Sequence, residues 1–172
     1  MKIYIIAGNR EEGKTTLLKE VIILLKNRGI SMSGFYAEGK FEKGERSSFE
    51  LTDVNSGKHY HLCRRTAPGN RGFTFDKQNV IAGNKLLEPS PNVCLYIIDE
   101  VGKMEIKGEI WHDALQKLIK NGNNLLITVR RDYTKDVVGK FGFEKYKIFD
   151  TDDNPSEIAA IIDKEIGYLC KK

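Results

Sequence analysis

The stretch IYIIAGNREEGKTT, residues 3–16, joins a short apolar run rich in β-branched side chains to two glycines separated by four residues. Gly8, Gly13, Lys14 and Thr15 match the spacing GxxxxGK[ST]. Apolar residues then recur at helical spacing, so the stretch predicts a strand, a loop and a helix that ends near residues 27–29. In that context the spacing is typical of a phosphate-binding loop.

The residue types in this loop suit an anion. Gly8 and Gly13 allow the chain to turn tightly, so that backbone N–H groups can surround a phosphate. The following helix directs the positive end of its dipole at the same phosphate, and Lys14 adds a positive charge. Thr15 supplies a hydroxyl that can ligate Mg²⁺. The predicted nucleotide-binding residues are Gly8, Asn9, Arg10, Glu11, Glu12, Gly13, Lys14, Thr15 and Thr16.

A second stretch, NVCLYIIDE at residues 92–100, is a continuous apolar run that ends in two acids. Such runs are typical of strands buried on both faces of a parallel sheet, where an unpaired carboxylate is costly. We therefore expect Asp99 to hold Mg²⁺, directly or through a water molecule, and Glu100 to orient or deprotonate a water that attacks the γ-phosphate. The alternative interpretation is a solvated turn at the end of a strand.

Three cationic residues near predicted strand ends have two interpretations each. Lys103 either reaches the γ-phosphate as a catalytic residue or pairs with Asp99, Glu100 or Glu105. Arg130 and Arg131 follow the strand NLLITV, at the edge where open α/β sheets bind ligands. Arg130 is the stronger catalytic candidate, because it can neutralise γ-phosphate charge, and surface ion pairs with Asp132 or Asp136 are the alternative for both arginines.

The rest of the chain alternates between strand and helix patterns. SMSGFYAE, SSFELTDV and KHYHLC predict an antiparallel flank, with NSG closing the second hairpin. Helices are predicted over residues 76–87, 109–122 and 155–169, with a short helix after Tyr133 and a strand at KYKIF. The pattern predicts an α/β fold, a three-layer arrangement in which a mainly parallel sheet carries helices on both faces and an antiparallel hairpin flank.

Bulk properties restrict the class of protein. A chain of 172 residues with 40% hydrophobic and 30% charged residues predicts one domain, residues 1–172. The net charge of +4 is spread among acids, which does not indicate a nucleic-acid surface, and no apolar run is long enough for a membrane helix. Three scattered cysteines, an odd number, indicate no disulfide framework and favour a cytoplasmic location.

Taken together, the segments GKTT, GFYAE, IDEVGKMEI and TVRR occur in an order that resembles the P-loop nucleoside-triphosphatase family of the thermophilic-archaeal type, which includes a human cancer-related relative. The resemblance spans most of the chain, and DEVGKMEI is its most specific segment. It implies a RecA-like core and slow, Mg²⁺-dependent hydrolysis of several nucleoside triphosphates, including ATP and GTP. The residues that match the family are Gly8, Gly13, Lys14, Thr15, Thr16, Asp99, Glu100, Gly102, Lys103 and Glu105.

The chain also departs from the family pattern at several positions. Glu11 and Glu12 stand where family loops often carry small residues, so two acids lie close to a polyanion. After GFYAE the chain has Phe41 where the family has an arginine, although it keeps Gly44 and Arg46.

Three functions remain open from the sequence. The first is a Mg²⁺-dependent triphosphatase in which Lys14 balances charge and Glu100 activates water. The second is a P-loop kinase for a nucleoside, a nucleotide or another small molecule, for which RRTAPGNRG, residues 64–72, is a candidate mobile loop. The third is a nucleotide-dependent switch or adaptor with an unknown protein partner, although no NKxD-like motif indicates a preference for guanine.

Overall fold

Eight strands and six α-helices follow one another in the computed structural model, which describes residues 1–66 and 72–170. The strands are β1 (Ile3–Gly8), β2 (Met32–Glu42), β3 (Glu45–Asp53), β4 (His59–Arg65), β5 (Phe73–Phe75), β6 (Leu95–Val101), β7 (Leu125–Arg130) and β8 (Tyr146–Asp150). The helices are α1 (Lys14–Asn27), α2 (Lys77–Leu86), α3 (Lys103–Ile106), α4 (His112–Lys120), α5 (Thr134–Phe141) and α6 (Pro155–Cys170). A 3-10 turn, Arg131–Tyr133, joins β7 to α5.

All eight strands form one sheet in the order β5-β4-β3-β2-β6-β7-β1-β8. The pairs β2–β6, β6–β7, β7–β1 and β1–β8 are parallel, whereas β2–β3, β3–β4 and β4–β5 are antiparallel. The prediction of a mainly parallel sheet with an antiparallel flank is confirmed. Because β1, β6 and β7 are parallel neighbours, their carboxyl ends meet at one edge of the sheet, which is where the predicted site residues lie.

The two faces of the sheet bury separate apolar clusters. Along β1, Ile5 belongs to the cluster that contains α4 and α5, whereas Ile6 belongs to the cluster formed with α1 and α6. This division follows from the period of two in a strand, which directs successive side chains to opposite faces. Helices therefore cover both faces, and β1, with no exposed residue, is held rigidly at the base of the phosphate-binding loop.

The hairpin between β2 and β3 turns sharply and then contains a bulge. Lys43 and Gly44 form a two-residue connection, and both have a positive φ, as tight hairpins require. The pairing then shifts, because Phe41 lies opposite Arg46 whereas Lys40 lies opposite Ser48. A bulge of this kind changes the direction of a side chain near the end of a strand.

Several sequence-based expectations differ from the structure. Helix α4 begins at His112, later than the pattern suggested, and the short helix α3 was not predicted. Within the described residues Cys63 is a free, buried thiol, whereas Cys94 is disulfide-bonded, which the three scattered cysteines of the sequence did not indicate. The candidate mobile loop at residues 64–72 falls largely outside the described ranges. Among the helices that are described, none has the length and apolarity needed to cross a membrane.

Candidate active site

The loop between β1 and α1 depends on two glycines. Gly13, immediately before the helix, has a φ of 88°, a conformation that favours glycine. At Gly8 the constraint is space, because a Cβ there would lie 2.6 Å from Cγ2 of Thr151 and 3.1 Å from Cγ of Lys14. Both glycines are therefore required by the backbone path that the loop takes.

Lys14 and the first turn of α1 form a binding place for an anion. The lysine is only 5% exposed, and its Nζ donates a hydrogen bond to the carbonyl oxygen of Asn9 at 2.7 Å. No side chain among the described residues caps the start of α1, so its first N–H groups remain available to a ligand. A positive charge and free backbone donors together favour phosphate.

The two unusual acids of the loop are exposed and bonded within the protein. Glu12 accepts hydrogen bonds from the backbone N–H and the side-chain amide of Asn9, and these bonds lower the pKa of its carboxyl group. Glu11 has a φ of 63° and forms ion pairs with Arg10 at 3.4 Å and with Arg46 at 3.7 Å. Neither carboxylate contacts Lys14 through an ion pair in the part of the chain that is described.

Asp99 is buried beside the loop and accepts four hydrogen bonds. Its Oδ2 receives Thr15 Oγ1 at 2.8 Å and the backbone N–H of Ala37 at 2.9 Å. Its Oδ1 receives the backbone N–H of Glu100 at 3.0 Å and the hydroxyl of Thr128. Burial raises the pKa of Asp99, and the four donors oppose that shift.

The Thr15–Asp99 pair fits a bound Mg²⁺. A hydroxyl and a carboxylate are the hard oxygen ligands that this ion accepts, and Mg²⁺ in nucleotide sites takes its remaining ligands from phosphate and water. The described residues contain no group of three or more His, Cys, Asp or Glu side chains that could hold a metal ion. The structure brings Thr15 and Asp99 together through a hydrogen bond, and their role as metal ligands stays a prediction.

Glu100 leaves the sheet at the same point. The regular pairing of β6 with β7 is interrupted between Ile98 and Val101, and Glu100 has a φ of 62°. Its backbone N–H donates to Thr128 Oγ1 at 2.8 Å, which fixes this strained conformation. The side chain of Glu100 consequently reaches a cleft of about 570 Å³ that Lys14 and Thr15 also line.

The electrostatic environment of Glu100 favours a base. The surrounding protein raises the pKa of its carboxyl group by desolvation, and the neighbouring Asp99 raises it further. Lys14, Arg46 and Arg130 oppose that shift, in decreasing order of effect. A carboxylate with a raised pKa accepts a proton from water more readily than an ordinary surface glutamate does.

The turn after β6 contains the remaining predicted residues. Lys103 is exposed and does not line the cleft that contains Lys14; it lines a smaller, mostly apolar recess that also borders Glu100. The predicted ion pairs of Lys103 are absent from the described residues. Glu105 is buried and accepts a hydrogen bond from the backbone N–H of Gly102 at 2.9 Å, while burial raises its pKa to about 7.

The two arginines after β7 occupy different places. Arg130 borders the site together with Lys14 and Glu100, pairs with Asp132 at 3.2 Å and stacks on Tyr133. Arg131 pairs with Asp150 at 2.6 Å, so its predicted partners were wrong, and its charge also helps to lower the pKa of Glu12 in the phosphate-binding loop. Arg130 therefore both borders the site and forms an ion pair with Asp132, the two alternatives that the sequence left open, whereas Arg131 forms a surface ion pair.

Arg46 is a charged residue of the cleft that was not a candidate from the sequence. Arg46 belongs to the hairpin strand β3, yet it lines the cleft together with Lys14 and Glu100. Its position depends on the pairing of β3 with β2 and on the bulge near Arg46, neither of which has a short sequence signature. Two signals were available: the arginine lies in a tight turn between two aromatic residues, Phe41 and Phe49, and it is one that the chain keeps from the family pattern.

Comparisons with known proteins agree with this geometry. A family model described as NTPase matches residues 3–162. The nucleoside-triphosphatase THEP1 of Caldivirga maquilingensis is 33% identical over 127 residues, which cover 72% of each chain. The nucleoside-triphosphatase THEP1 of Pyrobaculum aerophilum is 32% identical over 142 residues, or 81% of this chain and 79% of the relative.

Two solved structures share the fold. A human cancer-related nucleoside triphosphatase superimposes with a TM-score of 0.68 at 22% identity and covers 95% of this chain and 96% of its own. THEP1 from Aquifex aeolicus superimposes with a TM-score of 0.65 at 23% identity, with coverage of 98% and 99%. The model match, the relatives and the shared fold lead to one conclusion: the chain belongs to the NTPase family and is a nucleoside-triphosphatase.

Proposed function

We propose that this nucleoside-triphosphatase binds the triphosphate with Mg²⁺ in the cleft between β1, β2 and β6, and that it releases the γ-phosphate to water. The observation that carries the proposal is the grouping of Lys14, Thr15 and Glu100 on one cleft, beside the buried Asp99. In the reaction, a water oxygen bonds to the γ-phosphorus, the bond to the bridging oxygen of the diphosphate breaks, and Glu100 takes the proton of the water.

Each residue has a separate task in this proposal. Lys14 and the N–H groups at the start of α1 bind the β- and γ-phosphates, for which Lys14 gives up its hydrogen bond to the carbonyl oxygen of Asn9. Thr15 and Asp99 hold Mg²⁺, which would balance the negative charge on the phosphate oxygens. Glu100 is kept at the cleft by Thr128, so its carboxylate need not reorganise during the reaction.

Base selection is proposed to be weak. The residues that carry the chemistry bind phosphates and metal, and the sequence has no NKxD-like motif to select guanine. We therefore propose slow hydrolysis of ATP, GTP and other nucleoside triphosphates with similar rates.

The test is phosphate release from ATP, GTP, CTP and UTP in the presence and absence of Mg²⁺, together with nucleotide affinity measured by calorimetry. Glu100→Gln keeps the size of the side chain and removes the base, so turnover should fall on the order of 100-fold while the affinity changes little. Glu109→Gln is the matched control, because Glu109 is an exposed glutamate of the next turn. Equal turnover in wild type and Glu100→Gln would contradict the assigned role.

A kinase is the second candidate, and one observation favours it. A recess of about 130 Å³ lies next to Glu100, with walls of Phe49, Phe73 and Trp111. A small acceptor with a hydroxyl group would fit such a recess and would present the hydroxyl to Glu100. If wild type binds nucleotide, releases no phosphate and forms diphosphate only when an alcohol acceptor is supplied, the kinase replaces the triphosphatase.

A further inference from the structure

Arg46 is fixed in place by aromatic rings. Its guanidinium carbon lies 5.2 Å from the ring centre of Phe41 and 4.9 Å from that of Phe49, and the side chain is only 17% exposed. Stacking of this kind orients an arginine without using its N–H donors. An arginine side chain normally loses much conformational entropy when it binds a ligand. In Arg46 the two rings already restrict the side chain before any ligand binds.

A glycine makes room for this arrangement. If Gly39 carried a Cβ, that atom would lie 2.5 Å from Nε and 3.0 Å from Cδ of Arg46. The bulge in β3 places Arg46 opposite Phe41, on the same side of the hairpin as Gly39. The backbone of the hairpin therefore packs closely against the Cδ, Nε and Cζ atoms of the arginine.

The hydrogen-bonding capacity of Arg46 is not satisfied by the protein. Within the described residues, its buried Nε has no hydrogen-bond partner. Its ion pair joins Nη2 to Oε1 of Glu11 at 3.7 Å, and Glu11 is half exposed on the phosphate-binding loop. A buried donor without a partner is costly, so an acceptor that enters the cleft gains more from Arg46 than from a solvated arginine.

The direction of the guanidinium is towards the reacting groups. Arg46 lines the cleft together with Lys14, Thr15 and Glu100. Arg130 borders the other side of the site, and it already pairs with Asp132 on its own turn. Both arginines stack on aromatic side chains, and both have a buried Nε without a hydrogen-bond partner among the described residues. Arg46 differs in stacking on two rings, in a side-chain exposure of 17% against 38%, and in a longer ion pair, 3.7 Å against 3.2 Å.

We propose that Arg46 is a catalytic residue that donates hydrogen bonds to the γ-phosphate in the transition state, and that Glu11 holds the arginine until nucleotide binds. This inference rests on the proposed function, because it concerns the same cleft. Arg46 takes no part in covalent chemistry; it stabilises charge on the equatorial oxygens while the bridging bond breaks. When the γ-phosphate arrives, the ion pair with Glu11 is exchanged for bonds to phosphate.

The experiment compares steady-state kinetics of wild type, Arg46→Ala, Arg46→Lys and Arg28→Ala. Arg28 is the matched control, because it is also a partly buried arginine that pairs with an acid, Asp163, and it lies at the far end of α1 from the phosphate-binding loop. Arg46→Ala should lower kcat on the order of 100-fold or more with a small change in KM, as loss of an arginine finger does. Arg46→Lys keeps the charge but not the fork of donors, and it should recover only part of kcat.

A second measurement does not depend on turnover. Calorimetry with ADP and aluminium fluoride in the presence of Mg²⁺ reports binding of a transition-state analogue, while ADP alone reports ground-state binding. Arg46→Ala should weaken binding of ADP with aluminium fluoride and leave binding of ADP alone unchanged. If wild type is inactive in every assay, the proposed function fails; if wild type is active and Arg46→Ala keeps its kcat and its affinity for the analogue, only the role of Arg46 is overturned.

The role of Glu11 is tested in the same assays. Glu11→Gln should raise kcat by about two- to five-fold, the range expected for releasing one exposed ion pair. The gain should disappear when Glu11→Gln is combined with Arg46→Ala, because Glu11 would then have no arginine to hold. An equal gain in both backgrounds would contradict the exchange of partners. Thermal unfolding of each variant separates loss of fold from loss of chemistry.

Discussion

The turn after β6 and the hairpin between β2 and β3 both bring charged groups to the same cleft, but they hold those groups differently. At the end of β6 and in the turn after it, Asp99 and Glu105 are almost fully buried and are held by hydrogen bonds: Glu105 accepts from Gly102, and Asp99 accepts from donors on four segments of the chain. In the hairpin, Arg46 is held by two aromatic rings, and its ion-pair partner lies on another loop. The difference shows that hydrogen-bond donors hold the acids in place, whereas ring stacking and strand pairing position the arginine.

The first prediction concerns Lys14, which lines the cleft together with Arg46 of the hairpin and Glu100 of β6. Lys14→Ala should lower kcat/KM on the order of 1,000-fold, because it removes the buried positive charge at the phosphates. Phosphate release and nucleotide affinity measure the effect. Lys26→Ala is a suitable control, since Lys26 is an exposed lysine in the last turn of the same helix. Wild-type turnover in Lys14→Ala would remove the assignment of the phosphate-binding loop.

The second prediction concerns Glu105, in the turn after β6, and the pH dependence of stability that it causes. The pKa of Glu105 is raised from 4.5 to about 7 in the folded protein, so the unfolded chain releases this proton at lower pH than the folded chain does. The contribution of Glu105 to stability is therefore fully present below pH 4.5 and is lost as the pH rises to about 7, with a total of about 3 kcal/mol.

Chemical denaturation at several pH values measures this dependence. The free energy of unfolding of Glu105→Gln, relative to wild type, should rise between pH 4.5 and 7, because glutamine does not titrate. The glutamine side chain retains an oxygen that can accept the N–H of Gly102. Glu109→Gln, at an exposed position, should show no such trend relative to wild type. If the free energy of unfolding depends on pH in the same way in wild type and Glu105→Gln, Glu105 does not cause the loss of stability between pH 4.5 and 7.

The third prediction compares the arginine of the hairpin with Arg130, which belongs to the parallel half. Arg130 is 38% exposed and paired with Asp132, so solvent and its partner reduce its effect on the phosphate. Arg130→Ala should lower kcat by about 10-fold, less than Arg46→Ala, with little change in nucleotide affinity. Arg131→Ala is the control in the adjacent position. An unchanged kcat in Arg130→Ala would leave Arg130 as a surface ion pair only.

Much of the molecule could be predicted from its sequence because the relevant signals are short. The strand–loop–helix around Gly13 and Lys14 is specified within 14 residues, and the apolar run before Asp99 identifies a buried strand. The order of strands and helices followed from periodicity, so the mainly parallel sheet and its antiparallel flank were predicted correctly. These features depend on local backbone preferences and on burial of one face, both of which are visible in a short window.

Other features could not be predicted because they depend on distant contacts. The partner of Arg131 is Asp150, which the sheet brings close only by pairing β8 with β1 beside β7. The exposed position of Lys103 follows from α3, a helix of one turn whose start is fixed by the bond between Glu105 and Gly102. The disulfide at Cys94 also has no local signal, because three scattered cysteines do not indicate a pair.

The sequence by itself determined the phosphate-binding loop, the strand that carries Asp99 and Glu100, and the α/β class. Only the tertiary structure decided which cations face those acids. It brought Arg46 from an antiparallel hairpin to the cleft, paired Arg131 with Asp150 and left Arg130 at the border. The physical reason is that a motif specifies backbone geometry over a few residues, whereas the electric field at Glu100 is the sum of charges placed by strands far apart in the chain.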